Sequence, residues 1–288
     1  MSHNESSETE RNEQRANGRA QGDAARVEWS VSEALSGRTL LLTGATGFLG
    51  KAYLSMLLRY HPDIEQVYVL IRPREDRSAE ERFFQQIAAN SVMDPLRDIY
   101  EEGYLNFIKE RCTPLSGDIT EEYLGLDEER ARDISNDLDV LVNSAGLTNF
   151  NPNLESALTI NTLSQLNILE FLRLAEKPAA YMHVSTCFVA GNDDGKVYEE
   201  LPGPTRYPNH EELGVDYDAE REIEDCLAMI AHAKQLASDQ EHQSLFTQRA
   251  RKRLEDKNLD ASDPVLLEEE IEKVRSRWLR KRLSKEGQ

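Results

Sequence analysis

The sequence lacks any apolar run approaching the roughly 20 residues that a membrane-spanning helix needs. Its polar N-terminus, Met1 to Arg26, also lacks the hydrophobic segment of a signal peptide. Only three cysteines occur, Cys112, Cys187 and Cys226, and their wide spacing fits neither a zinc site nor a Cys-x-x-Cys redox motif. We therefore expect a cytoplasmic chain with reduced thiols and no metal site.

Basic side chains are also scarce, because 34 Lys and Arg residues face 53 Asp and Glu residues and leave a formal net charge of −19. Bulk nucleic-acid binding needs a basic face that neutralises phosphates, so this composition excludes it. Any phosphate group must instead meet a local set of arginines. A Gly-x-Ser-x-Gly nucleophile motif is absent as well, which argues against acyl hydrolysis.

The residues that are present divide the chain into three parts. Residues 1–36 are polar with few large apolar side chains, and they are predicted to form a disordered tail. Residues 37–214 alternate short apolar runs with helical periodicity, which is the pattern of an α/β domain with a parallel sheet. Residues 215–288 are predicted to form a charged helical extension.

The α/β part contains five predicted strands, most of them without polar alternation, as expected where helices cover both faces of a sheet. These strands are Arg38–Thr43, Gln66–Ile71, Thr113–Ser116, Val140–Asn143 and Tyr181–Ser185. The predicted helices span 48–60, about 79–90, about 97–110, about 123–135 and 154–175.

The predicted helices carry recognisable apolar faces and one cap. In the helix over 154–175 the apolar face includes Leu158, Leu166 and Leu169. In the extension Ile223, Leu227 and Ile230 form an apolar stripe, and Asp263-Pro264 predicts the N-cap and first residue of the final helix.

A glycine-rich segment, Thr43 to Gly50, reads Thr-Gly-Ala-Thr-Gly-Phe-Leu-Gly and follows the apolar run of the first strand. In such a strand-to-helix turn, Gly44 permits the tight bend and Gly47 lets the backbone approach a pyrophosphate. Gly50 lets the helix pack closely on the sheet, and the helix directs its free N–H groups at the phosphates. The segment therefore predicts a Rossmann-type doubly wound parallel sheet that binds a dinucleotide.

The second predicted strand ends in Arg72-Pro73-Arg74, where NAD-dependent members of this fold carry an acid for the adenosine ribose. A guanidinium can grip a phosphate with two parallel hydrogen bonds. Arg72 therefore favours NADPH over NADH, through the 2′-phosphate of NADPH. The alternative is that Arg72 and Arg74 are loop arginines of the run that includes Arg77.

Two further strand ends carry candidate cofactor residues. Asp118 and Ile119 follow the third strand, where such domains contact the adenine amino group, although Asp118 is equally explained as an N-cap. The small residues Ser144-Ala145-Gly146 follow the fourth strand, where the backbone can lie against a ribose or a nicotinamide. A plain tight turn would have a similar composition.

The fifth strand ends in His183-Val184-Ser185-Thr186. Ser185 and Thr186 lie at the carboxyl edge of the sheet, where ligands bind in open α/β folds, and one of these hydroxyls could stabilise a substrate oxyanion. His183 is better explained as a core or strand residue than as a catalytic base.

At these motifs the sequence resembles the Rossmann part of fatty acyl-CoA reductases, which are extended short-chain dehydrogenase/reductases. The matching segments, within about 37–210, are Thr-Gly-Ala-Thr-Gly-Phe-Leu-Gly, Val-Leu-Ile-Arg-Pro, Leu-Ser-Gly-Asp-Ile and His-Val-Ser-Thr-Cys-Phe-Val. The resemblance implies NADPH-dependent reduction of a long-chain acyl-CoA, through an aldehyde, toward a fatty alcohol.

The same resemblance implies which residues bind the cofactor and which act on the substrate. It gives the hydroxyl role to Thr186, with Ser185 beside it. The cofactor residues that it implies are Gly44, Gly47, Phe48, Leu49, Gly50, Arg72, Asp118, Ile119 and Ala145. Thr46, Ser144 and Gly146, which lie in the same turns, complete the candidate set.

The family's proton donor, a tyrosine four residues before a lysine, is absent from the 288 residues. Tyr198, Tyr207 and Tyr217 are followed at that spacing by Pro202, Glu211 and Arg221, and these tyrosines are better explained as loop packing residues. We expect a truncated, cofactor-binding part that is weak or inactive alone. A carrier-protein thioester reductase, a sugar-nucleotide epimerase or dehydratase, and a non-catalytic NADP(H)-binding regulator remain as alternatives.

The end of the last predicted helix, Lys273 to Lys285, has seven basic and no acidic side chains. A solvated face that complements the helix C-terminus explains this charge. A contact with acidic lipid, which would place the chain peripherally on a membrane, or with an acyl-CoA phosphate is the alternative.

Overall fold

The computed structural model describes residues 30–186, 214 and 218–286. Five parallel strands form one sheet in the order β3-β2-β1-β4-β5. The strands are β1 Thr39–Thr43, β2 Gln66–Ile71, β3 Cys112–Ser116, β4 Val140–Asn143 and β5 Ala180–His183. The chain runs outward from β1 to β3 and then crosses to β4 and β5 on the other side. This doubly wound order confirms the predicted Rossmann-type α/β fold.

The helices flank the sheet and then form the C-terminal extension. In chain order they are α1 Val31–Leu35, α2 Phe48–Tyr60, α3 Ala79–Arg82, α4 Asp94–Tyr100, α5 Tyr104–Arg111, α6 Glu128–Asp137, α7 Leu154–Ala157, α8 Ser164–Leu172, α9 Ala219–Ser238, α10 Gln240–Asp256 and α11 Pro264–Glu286. A π-helix continues α3 over Phe83–Ala88 and continues α7 over Leu158–Leu163. Short 3₁₀ turns span Ser91–Met93, Glu101–Gly103 and Glu122–Gly125.

Two cores cover the two faces of the sheet. Leu40 and Leu42 of β1 pack in the core formed with α2, α3, α4 and α5. Leu41, between them, packs in the opposite core with Phe171 and with residues of α6 and α8. All five residues of β1 are buried. Burial on both faces is the physical reason why this strand lacks polar alternation.

The start of the described chain differs from the predicted tail. Residues 31–35 form α1, because the Ser30 side chain accepts a hydrogen bond from the N–H of Glu33 and Leu35 packs against the sheet core. Residues 1–29 lie outside the described part of the chain.

Two predicted helices are shorter or more broken than the sequence indicates. The helix predicted over 97–110 is two helices, because Glu101 has a φ of 45° and interrupts the helical path. The helix predicted over 123–135 begins only at Glu128, where Asp127 is its N-cap. Tyr123 and Leu124 before it have φ values of 51° and 60°.

The long helix predicted over 154–175 contains a π-helical stretch and ends at Leu172. Its buried side includes Leu158, whereas Leu166 and Leu169 are exposed. The wider turn of a π-helix rotates the residues after it, so a face drawn with a period of 3.6 is displaced there.

The C-terminal extension packs as three helices, α9, α10 and α11. Asp263 caps α11 as predicted, because its carboxylate accepts hydrogen bonds from the N–H groups of Val265 and Leu266. In α9 the predicted stripe is partly wrong, since Leu227 is 45% exposed while Ile230 is buried. The buried carboxylate of Glu270 pairs with Arg253 of α10 at 3.1 Å and with Lys257, the C-cap residue of that helix, at 3.3 Å. These ion pairs hold α11 against α10.

Among the described helices, none combines the length and the apolar character needed to cross a bilayer. Cys187, Tyr198, Tyr207 and Tyr217 lie outside the described residues.

Candidate cofactor site

The glycine turn lies where the chain reverses direction across the sheet, between the carboxyl ends of β1 and β4. Gly44 has a φ of 72°, and a Cβ placed there would lie 2.5 Å from the carbonyl carbon of Ser144. A Cβ on Gly50 would lie 2.4 Å from the carbonyl oxygen of Gly44. At both positions only glycine fits, as predicted for the tight bend at Gly44 and for the close packing of the helix at Gly50. Gly47 is less restricted, because its Cβ would lie 3.2 Å from the same oxygen.

The N-terminus of α2 is open to a ligand. Gly47 is the N-cap, and no side chain caps the helix. Phe48 and Leu49 in its first turn are exposed, and Thr46 is half-buried. A helix start whose N–H groups lack side-chain partners is a binding site for a phosphate, and the glycines provide the cradle that a Cβ would fill. The residues therefore fit the pyrophosphate of a dinucleotide.

The ends of β2 and β3 bring two predicted cofactor residues together. A guanidinium nitrogen of Arg72 lies 3.5 Å from a carboxylate oxygen of Asp118. The Arg72 side chain is 67% exposed, whereas that of Asp118 is 21% exposed. Arg72 is thus held at the end of its strand while it still presents donors to solvent.

Arg82, which the sequence analysis missed, binds the backbone of Arg72. Its side chain is buried and donates hydrogen bonds to the carbonyl oxygen of Arg72 and to Gln86. Its Nε has no hydrogen-bond partner among the described residues. Burial and the neighbouring arginines lower the pKa of this guanidinium; these neighbours are Arg74, Arg72 and Arg77. Cations gathered in this way favour an anion beside them.

Asp118 has two structural roles in its turn. Its other carboxylate oxygen accepts hydrogen bonds from the N–H and the hydroxyl of Thr120, at 3.0 and 2.9 Å. This is an Asx turn rather than a cap on a regular helix. Ile119 is buried beside it, and Asn167 of α8 donates a hydrogen bond to its carbonyl oxygen.

The end of β4 contains a buried polar network around Asn143, which is fully buried. Its side-chain oxygen accepts hydrogen bonds from the hydroxyl of Thr43 and from the N–H of Ala145. Its side-chain nitrogen donates to Gln165 at 2.9 Å, and Tyr181 donates to the same oxygen of Gln165. This network fixes the backbone of the predicted nicotinamide turn.

Ser144 and Gly146 complete that turn. The Ser144 hydroxyl donates a hydrogen bond to the carbonyl oxygen of Thr43 and so ties β4 to β1. After Gly146, Asn161 accepts a hydrogen bond from the N–H of Leu147 and donates one to its carbonyl oxygen. The π-helical stretch after α7 therefore holds the chain just beyond the turn.

The predicted hydroxyl residues lie beyond the end of β5. The N–H of Val184 donates a hydrogen bond to the carbonyl oxygen of Asn143, which continues the pairing of β5 with β4. Ser185 and Thr186 follow at the same edge of the sheet and are exposed. His183 is also exposed, and its Nδ1 lies 3.2 Å from the side-chain nitrogen of Asn143.

The fold thus gathers the predicted residues at one edge of the sheet, after β1, β2, β3, β4 and β5. Sequence reasoning missed Arg82, Gln165 and Tyr181. The Ser78-x-x-Glu81 capping box predicts the start of the helix that carries Arg82. No pattern in the neighbouring sequence predicts that the Arg82 side chain contacts the end of β2.

A family profile described as "Male sterility protein" matches residues 42–259. Fatty acyl-CoA reductase 8 of Arabidopsis thaliana is 32% identical over 199 residues, which are 68% of this chain and 40% of that protein. Fatty acyl-CoA reductase 1 of Mus musculus is 32% identical over 163 residues, 57% of this chain and 30% of that protein. The chain thus spans 40% or less of the length of these two relatives.

Solved structures similar to the chain include the terminal R domain from the myxalamid PKS-NRPS biosynthetic pathway. It is 29% identical, and the match covers 59% of this chain and 41% of the R-domain chain, with a TM-score of 0.46. The R domain of a nonribosomal peptide synthetase from Mycobacterium tuberculosis is 26% identical. That match covers 54% of this chain and 34% of the R-domain chain, with a TM-score of 0.43. On the strength of the profile match, the chain belongs to the male sterility family of NAD-binding proteins, the family of the fatty acyl-CoA reductases.

Proposed function

We propose that the nicotinamide cofactor of this chain is NADPH and that the chain provides the cofactor-binding part of a reductase for long-chain acyl-CoA. The observation that carries the cofactor assignment is the group of arginines at the end of β2. Arg72 is exposed, and the buried Arg82 bonds to the carbonyl of Arg72 and lacks a partner at Nε among the described residues. A phosphate monoester would add negative charge beside Arg72, whose contact with Asp118 at 3.5 Å leaves its side chain 67% exposed.

The remaining cofactor contacts follow from the backbone. The start of α2 would hold the pyrophosphate, and Asp118 with Ile119 would lie beside the adenine. Ser144, Ala145 and Gly146 would lie against the nicotinamide end. NADPH, when bound, supplies a hydride to a carbonyl carbon.

The chain's own contribution to the chemistry is proposed at the end of β5. A hydroxyl of Ser185 or Thr186 would donate a hydrogen bond to the thioester carbonyl oxygen and stabilise the negative charge that develops on it. A proton donor is also needed, and the 288 residues contain no Tyr-x-x-x-Lys pair. We therefore propose that this chain by itself binds NADPH but reduces acyl-CoA weakly or not at all.

A non-catalytic NADP(H)-binding regulator is the second candidate, and the absence of that tyrosine–lysine pair favours it. The two candidates differ in substrate binding, since a regulator has no need to bind acyl-CoA.

The test has two steps with the same protein. Titration with NADPH and with NADH, followed by the change in nicotinamide fluorescence, should show binding with a preference for NADPH. Palmitoyl-CoA should then bind the NADPH-loaded chain, while NADPH absorbance stays constant.

The possible outcomes separate the proposals. Failure to bind either dinucleotide would overturn the proposal altogether. NADPH binding without acyl-CoA binding would favour the regulator. Acyl-CoA-dependent NADPH oxidation would show that another group donates the proton.

A further inference from the structure

The second half of α11 presents a row of unpaired cations. Arg277, Arg280, Lys281 and Lys285 are all exposed. At spacings of three, four and eight residues, they lie along one side of the helix. Among the described residues, none supplies an ion-pair partner to any of these four. We call these four residues the basic face.

This row contrasts with the cations nearby. Lys273 pairs with Glu269 at 3.4 Å, and Arg275 pairs with Glu272 at 3.2 Å. Both ion pairs lie in α11 before the basic face begins. Like charges three and four residues apart repel one another on a helix. In a chain with a net charge of −19, a row of unpaired cations is a local exception that favours an anionic ligand.

The basic face lies on a helix that packs with the segment bordering the candidate cofactor site. Leu283, within the same turns of α11, is buried in the same apolar cluster as Leu158 of the π-helical stretch. One turn after Leu158, Asn161 holds the backbone of Leu147, which directly follows Gly146 of the nicotinamide turn. The apolar cluster around Leu158 and the hydrogen bonds of Asn161 therefore connect α11 to the turn beside which a substrate would react.

We propose that the basic face binds the phosphates of the nucleotide end of acyl-CoA, so that the thioester at the far end of the pantetheine arm reaches the edge of β4 and β5. This inference rests on the proposed reductase function, since it concerns the carrier of the same substrate. Arginine and lysine both suit phosphate, arginine through two parallel bonds and lysine as a point charge.

An anionic membrane surface is the competing occupant, and the packing of α11 argues against it. A helix that lies on a membrane buries its apolar side in the lipid. In α11 the apolar side chains of Val274 and Leu283 are instead buried in the three-helix extension, and the exposed Val265 lies at the other end of the helix from the basic face. In the second half of α11 the exposed side chains are cationic or polar.

The test compares two charge reversals of equal size. The double variant Arg280→Glu/Lys281→Glu changes the basic face, and Arg251→Glu/Lys252→Glu changes two exposed cations of α10 as the matched control. Binding of CoA and of dephospho-CoA, which lacks the 3′-phosphate, is measured by calorimetry. All titrations are made with the chain saturated with NADPH, so that CoA cannot enter the cofactor site.

We expect the control to bind CoA as the unchanged chain does. The basic-face variant should bind CoA about tenfold more weakly, the effect of losing one or two charge-assisted contacts. Its preference for CoA over dephospho-CoA should also be lost. The dissociation constant for NADPH should be the same in all three proteins. Failure of all three to bind NADPH would count against the proposed function instead.

Three results would overturn the inference. The first is equal weakening of CoA binding in both double variants, and the second is no binding of CoA by the NADPH-loaded unchanged chain. The third is normal CoA binding by the basic-face variant together with weaker binding to vesicles of anionic phospholipid, measured by cosedimentation. The last result would identify a membrane surface as the occupant.

Discussion

The hydroxyl of Thr43 donates a hydrogen bond of 2.5 Å to the side-chain oxygen of Asn143, across the neighbouring strands β1 and β4. The N–H of Ala145 approaches both oxygens, at 3.3 Å from Thr43 and 3.1 Å from Asn143. The glycine turn after β1 and the small-residue turn after β4 are therefore joined by one buried polar contact. Because both turns belong to the proposed cofactor site, this contact couples the stability of the sheet to its binding edge.

Replacing Asn143 with leucine should destabilise the fold and weaken NADPH binding. The change leaves the buried Thr43 hydroxyl without the acceptor of its hydrogen bond and removes one of the two donors to the Gln165 side-chain oxygen, which keeps Tyr181. Such a loss costs about 1–3 kcal/mol of unfolding free energy. Urea denaturation followed by circular dichroism measures it. Asn149→Leu, on an exposed loop, is the control and should change the midpoint little. An unchanged midpoint for Asn143→Leu would show that the network contributes no stability.

Replacing Gly50 with alanine should be much more damaging than the same change at Gly103. The added Cβ would overlap the carbonyl oxygen of Gly44 at 2.4 Å, whereas nothing lies within 4 Å of a Cβ on Gly103. We expect a loss of about 2 kcal/mol or more of unfolding free energy, because the start of α2 must move away from β1. Thermal denaturation and NADPH titration measure both effects. Equal melting temperatures for the two variants would contradict the close approach.

Replacing Arg72 with aspartate should weaken NADPH binding far more than NADH binding. The variant places a carboxylate where the 2′-phosphate would lie, and loss of a charge-assisted contact corresponds to roughly a tenfold to hundredfold change in affinity. Arg59→Asp, at the exposed end of α2, has the same charge change and should affect both cofactors little. Equal weakening of both cofactors by Arg72→Asp would show that Arg72 does not bind the 2′-phosphate.

Cys112 should make the protein less stable at high pH. Complete burial raises the pKa of its thiol to about 12. In the unfolded chain the thiol has a pKa of about 8.5, so the unfolded state gains a thiolate that the folded state disfavours. The stabilisation from this thiol is fully present below its pKa in the unfolded chain. Above that pKa the free energy of unfolding falls by about 1.4 kcal/mol per pH unit, until the pH reaches the pKa of the thiol in the folded protein.

The measurement is the free energy of unfolding in urea at several values between about pH 8 and about pH 10. Cys112→Ala is the matched control, since it removes the thiol and keeps every other titrating group. Its unfolding free energy should fall less steeply with pH than that of the unchanged chain. Parallel slopes would show that Cys112 is accessible to solvent. The thiol of Cys112 should also resist alkylation until the protein unfolds.

Local patterns in the sequence were enough to place much of the fold. The continuous apolar runs located the strands, because a strand covered on both faces needs no polar side. The glycine turn located the start of α2 at Phe48, since a missing Cβ is a requirement of the backbone itself. Asp263-Pro264 located the start of α11 for the same local reason.

Helix breaks were less accessible to the same reasoning. The apolar period continues through Glu101, whose positive φ divides α4 from α5, and through the π-helical stretch after Leu158. In both places the surrounding core, rather than the propensity of the residue, determines the backbone.

By itself, the sequence determined the doubly wound sheet, the glycine turn after β1 and the arginine at the end of β2, because each depends on residues adjacent in the chain. Only the tertiary structure decided that Arg72 meets Asp118, that Arg82 turns back beneath Arg72, and that Asn143 joins two turns. These contacts link residues up to 100 positions apart, and no local period records a distance between strands.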